Sequence, residues 1–374
     1  MKTAMRTNPR IYVLFLLAAF SVAAPDLLAA EKVDLDPRPT MTWPGTKAPE
    51  PTKPVKAFIL LGQSNMLGMG RVSADRNSEG SLEYAVKNKH KYPYLVDDAG
   101  NWTVRNDIRN VRVMVGRDAG MQVFNNEWMT IKGKTIGPEI GIGHGLGEAM
   151  GGPIMLVKSC IGNRSLGWDL LPPGSKGYEF TDQDKKTGKE VVYTYAGYKE
   201  SPMRWEKGTE PQKITWYAGK QYDDDTANAK RVLTEFDHYY PGAKQYEIAG
   251  FFWWQGDKDR YDAGLASHYE QNLVQLIKQL RQDFNASNAK FVLATLGQTK
   301  KGEGGNDGKI LDAQLAVDGS SGKYPEFKGN VAAVYANPLS HGGASNSHYN
   351  GNAETYMDIG EAMGKAMVDL LQDR

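Results

Sequence analysis

Five short apolar runs, separated by longer polar or amphipathic stretches, dominate the pattern of hydrophobic positions along the chain. Each run is continuous rather than alternating, which is typical of strands covered on both faces of a sheet. The runs are AFILL (57–61), PIMLV (153–157), EIAGFFWW (247–254), KFVLATL (290–296) and VAAVY (331–335).

Helical patterns lie between these runs. Residues 137–150 carry a proline near their start, and residues 223–240 begin with acidic residues that suit the positive end of a helix dipole. Residues 262–283 and 352–373 repeat apolar residues at i, i+3 and i+4. The alternation of strand and helix predicts an α/β fold with a parallel sheet and helices on both faces.

Residues 174–222 interrupt this alternation. They are polar and rich in Gly, Lys, Tyr and Trp, and their aromatic content argues against disorder. We expect an insertion packed on the domain, with a small β-structure near the strand ends. Trp205 and Trp216 within it, and Trp168 just before it, lie outside the apolar runs and are candidates for a sugar-binding platform.

The N-terminus has the pattern of an export signal. Basic residues precede an apolar stretch from Ile11 to Ala24 that is short for a membrane span, and small residues follow it. This predicts a secretory signal peptide over residues 1–30, with a single membrane anchor as the alternative. Residues 31–55 are rich in proline and predict an extended linker, which leaves residues 56–374 as the folded domain.

The composition and net charge limit the classes of binding partner and cofactor that we expect. The chain has 374 residues and a formal net charge of +1, so it can form one large domain and has no field of one sign that would favour nucleic acid or a membrane surface. Cys160 is the only cysteine, which excludes an intrachain disulfide, and its apolar neighbours favour a buried thiol. Neither metal-ligand spacing nor a nucleotide-binding loop is present, so we expect no metal and no cofactor. The oligomeric state stays open.

Polar residues follow three of the apolar runs at the point where each run ends. Ser64 follows the first run, and residues 162–164 and 255–257 follow the second and third. Because the carboxyl ends of parallel strands meet at one edge of a sheet, these residues should lie close together. Taken alone, GQSN (62–65) is more often a structural turn than a nucleophile. A nucleophilic serine needs a histidine base, and His348 lies in the loop after the last predicted strand.

Four sequence blocks carry a family resemblance: GQSNM, KSCIGNRSLGWD, WWQGDKD and SHYNGNAETY. In this order they resemble the blocks of SGNH-type hydrolases, and most closely the sialate O-acetylesterase-like and acetyl xylan esterase-like carbohydrate esterases. The resemblance spans most of residues 56–370. It implies a flavodoxin-like three-layer α/β/α sandwich with a parallel sheet, the SGNH hydrolase fold.

The resemblance also implies a function. A secreted or periplasmic serine esterase would hydrolyse O-acetyl esters on carbohydrate, either an acetylated polysaccharide or a sialic-acid-type sugar, without a cofactor. Ser64 resembles the nucleophile and His348 the base, while the oxyanion hole would comprise Ser64, Gly162 and Gln255. The candidates for substrate-binding or supporting roles are Gln63, Asn65, Asn163, Arg164 and Asp259.

One position departs from the family pattern. The wider superfamily usually has Asp three residues before the base, whereas this chain has Ser345, which cannot supply a charge to stabilise an imidazolium. Asp257 is the preferred orienting acid because related esterases often carry an acid directly after the QG pair. Asp259, or an acceptor that is not a carboxylate, is the alternative. Two alternative functions stay open: carbohydrate binding by a catalytically degenerate protein of this fold, and hydrolysis of another small ester by the same triad.

Overall fold

The computed structural model describes residues 53–73, 79–116, 120–184 and 187–372. The predicted signal peptide and most of the predicted linker lie outside the described residues. Within the described part of the chain, no helix has the length and apolar character needed to cross a membrane.

The strands of the described residues are β1 (Val55–Gly62), β2 (Gly70–Arg71), β3 (Arg105–Val115), β4 (Met121–Met129), β5 (Thr135–Ile136), β6 (Ile154–Ser159), β7 (Tyr178–Gln183), β8 (Glu190–Tyr195), β9 (Arg204–Glu206), β10 (Tyr246–Trp254), β11 (Lys290–Ala294) and β12 (Val331–Val334). A seven-stranded sheet has the order β12-β11-β10-β1-β6-β3-β4. All of its neighbouring strands pair in parallel except β3 and β4, which are antiparallel. β2 pairs with β5 in a small separate ladder.

The helices of the same residues are α1 (Ser64–Leu67), α2 (Leu82–Lys87), α3 (Glu139–Met150), α4 (Lys220–Thr234), α5 (Phe236–Tyr239), α6 (Ala263–Asp283), α7 (Gly305–Ala316) and α8 (Ala353–Gln372). Short 3-10 turns occur at Pro93–Leu95, Asp259–Tyr261, Pro325–Phe327, Asn337–Leu339 and Ser345–Gly351. All five predicted strands and all four predicted helical regions form, with ends displaced by a few residues, and the predicted fold class is confirmed.

Two apolar cores, one on each face of the sheet, produce the three layers. Side chains from α4, α6 and α7 cover one face, and side chains from α3 and α8 cover the other. Alternate residues of β1 supply both cores: Ile59 points into the first and Phe58 into the second. Burial on both faces explains why the strand sequences are continuously apolar. Cys160 is buried in the second core, as predicted, and burial raises the pKa of its thiol to about 12.

The sequence analysis did not predict β3 and β4. β3 contains buried charged residues that satisfy one another or polar neighbours. Arg105 donates two hydrogen bonds to Asp107, and the Arg109 Nε atom lies 2.9 Å from Asn126 Oδ1 and from the Tyr239 carbonyl oxygen. A strand that is buried through such pairing lacks the apolar run on which the prediction depends.

The predicted insertion folds as a three-stranded antiparallel sheet, β7-β8-β9, packed on α6. The Tyr178 ring stacks on His268 of α6 with centroids 3.6 Å apart, and the Tyr195 hydroxyl donates to Asp262 over 2.6 Å. Trp168 is buried in the small apolar core of this region, so its rings do not form an open platform.

Helices α3 and α8 cross at glycines. A Cβ atom added to Gly141 would lie 2.5 Å from the Glu361 backbone nitrogen, a distance that backbone packing cannot accept. A Cβ atom added to Gly145, one turn later, would find its nearest neighbour at 3.6 Å, in ordinary van der Waals contact. Gly141 therefore permits the close contact of α3 with α8.

The two glycines predict opposite effects of the same substitution. Gly145→Ala should raise the free energy of unfolding by up to about 1 kcal/mol because alanine favours a helix. Gly141→Ala should lower it by about 1–3 kcal/mol because the methyl group forces the helices apart. Urea unfolding followed by circular dichroism would measure both, and equal effects of the two substitutions would contradict this account of the helix crossing.

Candidate active site

The first strand ends in a turn that presents Ser64. Gly62 has φ of +146°, and a Cβ atom there would lie 2.4 Å from the carbonyl oxygen of Trp254 on β10. The Gln63 backbone N–H donates to that same carbonyl over 3.2 Å. Glycine is required by this close approach, and it allows α1 to begin immediately at Ser64. Ser64 is 6% exposed at the carboxyl edge of the sheet.

The two amide residues that flank Ser64 differ in their surroundings. The Gln63 side-chain oxygen accepts from Gln255 Nε2 and from the Lys258 backbone N–H, each over 3.3 Å. Asn65 is 1% exposed, and its side-chain oxygen and nitrogen have no hydrogen-bond partner among the described residues. Gln63 therefore joins the first strand end to the third.

A buried ion pair lies behind the turn. Lys158 of β6 donates through Nζ to the Leu67 carbonyl at the end of α1 over 2.8 Å, and its Nζ lies 2.7 Å from Glu139 Oε2. Glu139 Oε1 accepts from the Gly137 backbone N–H over 3.2 Å. This pair fixes the far end of the helix that carries Ser64. Lys158 was missed by the sequence analysis because it lies within an otherwise apolar strand.

Gly162 lies beside Ser64. A Cβ atom built on Gly162 would be 3.4 Å from the Ser64 Cβ, so the two residues are in direct proximity. Within the described part of the chain, the backbone N–H groups of Ser64 and Gly162 donate to no acceptor. Asn163 follows with a left-handed φ of 58° and an exposed side chain. Two neighbouring residues therefore each have a backbone N–H group with no acceptor in this part of the chain.

The Gln255 side chain is bound to acceptors within the protein. It is fully buried, and its Nε2 donates to the Arg164 carbonyl over 2.9 Å and to Asp259 over 2.5 Å, with Gln63 Oε1 at 3.3 Å. An amide has only two N–H hydrogens, and both are directed at protein acceptors. The geometry therefore does not support Gln255 as an oxyanion donor; Gln255 ties the three strand-end loops together instead.

Asp259, the alternative orienting acid, is directed at the loop after β6. Its carboxylate accepts from the backbone N–H groups of Leu166 and Gly167, each over 2.8 Å, as well as from Gln255. Burial raises the pKa of Asp259 to about 7, and the hydrogen bonds from Gly167, Gln255 and Leu166 oppose that rise. Asp259 therefore shapes the loop that carries Gly162.

Arg164 connects this loop to the insertion. Its Nε donates to Gln221 over 3.1 Å, and its guanidinium lies 4.8 Å from the centre of the Trp216 ring. A cation over an aromatic face is a favourable contact, and it occupies a face that a sugar ring would otherwise use. Trp216 is therefore a support for Arg164 in this structure.

His348 lies in a left-handed turn. His348, Tyr349 and Asn350 have φ of 52°, 53° and 51°, a conformation that costs L-residues roughly 1–2 kcal/mol each. Tyr349 anchors the turn: it is fully buried, and its hydroxyl oxygen accepts from the Gly297 backbone N–H over 3.2 Å. Such strain persists only where the surroundings impose it, and it is concentrated at functional sites.

Asp257 is joined to the His348 turn through the residue that replaces the expected acid. The Ser345 hydroxyl donates to Asp257 Oδ1 over 2.6 Å, and Arg260 Nε donates to the same oxygen over 2.9 Å. Burial lowers the pKa of His348, while the negative charge of Asp257 opposes that change. The turn also lies against α1, which begins at Ser64. Among the described residues, no direct hydrogen bond joins the His348 ring to Ser64 or Asp257.

The buried ion pair behind the turn yields a stability prediction. Glu139→Ala should lower the free energy of unfolding by about 3–5 kcal/mol because Lys158 then stays buried without a counter-charge. The double variant Glu139→Leu with Lys158→Met should be clearly more stable than Glu139→Ala. Lys365→Met is the matched control: it breaks an exposed pair with Asp369 and should change stability by about 0–1 kcal/mol. Equal losses in the single and double variants, measured by denaturant unfolding, would rule out this explanation.

Comparisons with known proteins agree with the sequence blocks. The family model described as "Carbohydrate esterase, sialic acid-specific acetylesterase" matches residues 54–369. No curated protein matches the chain. Similar solved structures include a protein from Arabidopsis thaliana, with 19% identity over 84% of this chain and 98% of that chain and a TM-score of 0.46. A carbohydrate acetylesterase from Xanthomonas citri has 14% identity over 83% of this chain and 54% of that chain, with a TM-score of 0.46.

NanS has 14% identity over 75% of this chain and 78% of that chain, with a TM-score of 0.36. The family model covers nearly the whole described domain, from the start of β1 to the last turns of α8. The chain therefore belongs to the carbohydrate esterase family of sialic acid-specific acetylesterases.

Proposed function

We propose that this protein is a serine esterase that removes acetyl groups from carbohydrate, with Ser64 as nucleophile, His348 as base and Asp257 as orienting acid. One observation carries the proposal: Ser64 stands at a strand end beside Gly162, and α1, which begins at Ser64, lies against the turn that carries His348. Among the described residues, the backbone N–H groups of Ser64 and Gly162 have no acceptor. A nucleophile, a base and an oxyanion site in one place are the minimum set for acyl transfer.

The reaction begins when Ser64 Oγ attacks the acetyl carbonyl carbon and His348 accepts the hydroxyl proton. Negative charge develops on the carbonyl oxygen, where the N–H groups of Ser64 and Gly162 stabilise it. His348 then protonates the sugar oxygen as the carbon–oxygen bond breaks, which leaves an acetyl group on Ser64. Water repeats the sequence and releases acetate. Each step moves a proton between protein, substrate and water, so the proposal includes no cofactor.

Asp257 contributes through charge. His348 must hold a proton midway through each half-reaction, and burial makes that state costly. A carboxylate nearby lowers the cost because it attracts the imidazolium. Asp257 is 8% exposed, so water screens this attraction only partly.

The substrate we propose is an acetylated sugar, as part of a polysaccharide or of the sialic acid type. Family membership supports this class, and Asn163 and the partly exposed Arg164 are the polar side chains that follow Gly162. The signal-like N-terminal sequence supports a secreted or periplasmic location, where such glycans occur.

Ser64→Ala tests the assignment directly. The variant should lose about 10³-fold or more in kcat/KM on p-nitrophenyl acetate and on an O-acetylated sialic acid, because no other hydroxyl replaces the nucleophile. Ser347→Ala is the control: its exposed hydroxyl donates to the Ala344 carbonyl and should be dispensable. Full activity in Ser64→Ala would refute the mechanism. Sugar binding without turnover by the unaltered protein would favour a carbohydrate-binding function instead.

The pH dependence follows from the surroundings of His348. The base must be neutral to accept a proton, and its pKa is lowered from 6.5 by burial. Activity should therefore persist below pH 6.5 and fall only when the pH passes below the lowered pKa. Asp257→Ala removes the charge that raises this pKa, so the acidic limb of kcat/KM should move to still lower pH while kcat falls. A limb that moves to higher pH in this variant would contradict the assignment of Asp257.

A further inference from the structure

Asp257 is held through one of its two oxygens. Ser345 Oγ and Arg260 Nε both donate to Oδ1; Arg260 is close to Asp257 in the sequence and Ser345 is distant from it. Ser345 is 1% exposed. In the part of the chain that the structure describes, Oδ2 accepts no hydrogen bond. The carboxylate cannot rotate without breaking both bonds to Oδ1, so the position of its free oxygen is determined as well.

These bonds belong to a closed ring of five residues, in which Ser345 takes part through both its hydroxyl and its backbone N–H. Gln298 Oε1 accepts from the Ser345 backbone N–H over 3.3 Å, and Gln298 Nε2 donates to Asp307 Oδ1 over 3.2 Å. Arg260 Nη1 donates to the Asp307 carboxylate over 3.4 Å, which returns the circuit to Asp257 through Nε. We call Asp257, Arg260, Asp307, Gln298 and Ser345 the Asp257 ring.

The ring joins segments that are far apart in the sequence. Its members come from the loop after β10, the 3-10 turn at Asp259–Tyr261, the loop after β11, helix α7 and the turn at Ser345–Gly351. The last of these carries His348 three residues after Ser345. The ring therefore fixes the distance between the loop that carries the acid and the turn that carries the base.

The charge of the ring also suits a role beside a histidine. Two carboxylates share one guanidinium, so the ring keeps a formal charge of −1 when both acids are ionised. Arg260 can orient Asp257 without cancelling the whole negative charge, because it also binds Asp307. An isolated ion pair of Arg260 with Asp257 would instead have a net charge of zero.

We propose that Ser345 and the other partners of Asp257 in the ring are positioning residues, which direct the free oxygen of Asp257 toward His348. The residue that stands in place of the usual acid thus supplies a hydrogen bond to the acid at its new position. This inference rests on the proposed function for its effect on turnover, but its geometric part concerns only Asp257 and His348. A ring that merely clamps α7 to the loops would change stability and leave His348 unaffected.

The test compares three variants of the full chain. Ser345→Ala removes the donor, Ser345→Thr retains a hydroxyl, and Ser347→Ala is the control in the same turn. Kinetics on p-nitrophenyl acetate would give kcat and KM, and an NMR titration of the imidazole would give the pKa of His348. Ser345→Ala should lower kcat about 10- to 100-fold with KM nearly unchanged, and should lower the pKa of His348. Ser345→Thr should retain most of both properties, and Ser347→Ala should retain all of them.

A double-variant cycle shows whether Ser345 acts through Asp257. In an Asp257→Ala background, Ser345→Ala should have no further effect on kcat or on the pKa of His348. Independent, multiplicative losses would overturn the proposal. If Ser345→Ala fails to fold, Gln298→Ala replaces it, because it removes two bonds of the ring from a partly exposed position and should act in the same direction.

The outcomes separate this inference from the proposed function. Ser64-dependent activity with no change in kcat or in the pKa of His348 on Ser345→Ala would overturn the ring proposal alone. Absence of Ser64-dependent activity would overturn the proposed function, and the titration of His348 would still decide the ring proposal. An unchanged pKa of His348 would then refute it, and a lowered one would support it.

Discussion

Parallel pairing of β1 with β6 on one side and β10 on the other is the constraint on which the site depends. It brings the carboxyl ends of three strands to one edge, where Ser64, Gly162 and Asp257 follow their strands within a few residues. The register places Gly62 opposite Trp254, and the absence of a side chain at Gly62 permits the contact with that carbonyl. Because both faces of these strands are buried, a shift in register would disrupt two cores at once.

The sequence predicts those elements whose burial is visible as apolar residues. β1, β6, β10, β11 and β12 are recognisable because their side chains enter the two cores. β3 is not recognisable, because Arg105 and Asp107 are buried as a pair and no local pattern shows that each has a partner. The same reason applies to Lys158 and Glu139, whose ion pair joins a strand to the start of a helix. A charged side chain can be buried when a side chain of opposite charge lies beside it. Which residues are neighbours in the fold cannot be seen from a single sequence.

The residues of the candidate site also differ in how far the sequence alone could predict their contacts. The positions of Ser64 and Gly162 at the sheet edge are predictable because each closely follows its own strand, whereas the hydrogen bonds of Gln255 depend on acceptors in two other loops. Asp257 and Asp259 are two residues apart, and only the family resemblance distinguishes them in the sequence, in favour of Asp257. The 3-10 turn that begins at Asp259 separates them: one carboxylate contacts the loop after β6 and the other contacts Ser345. Gln298 and Asp307 gave no signal at all, since neither belongs to a recognisable block.

The left-handed turn at His348 has a consequence for the local stability of the candidate site. The turn contains three residues with positive φ and several exposed neighbours, and the burial of Tyr349 and the hydrogen bond from Ser345 to Asp257 hold it in place. The sheet, by contrast, is secured by two extensive cores. The free energy that keeps this turn closed is therefore a local quantity, smaller than the free energy that keeps the domain folded. The proposed activity therefore depends on two equilibria, the local closure of this turn and the folding of the domain, and the local one involves fewer contacts.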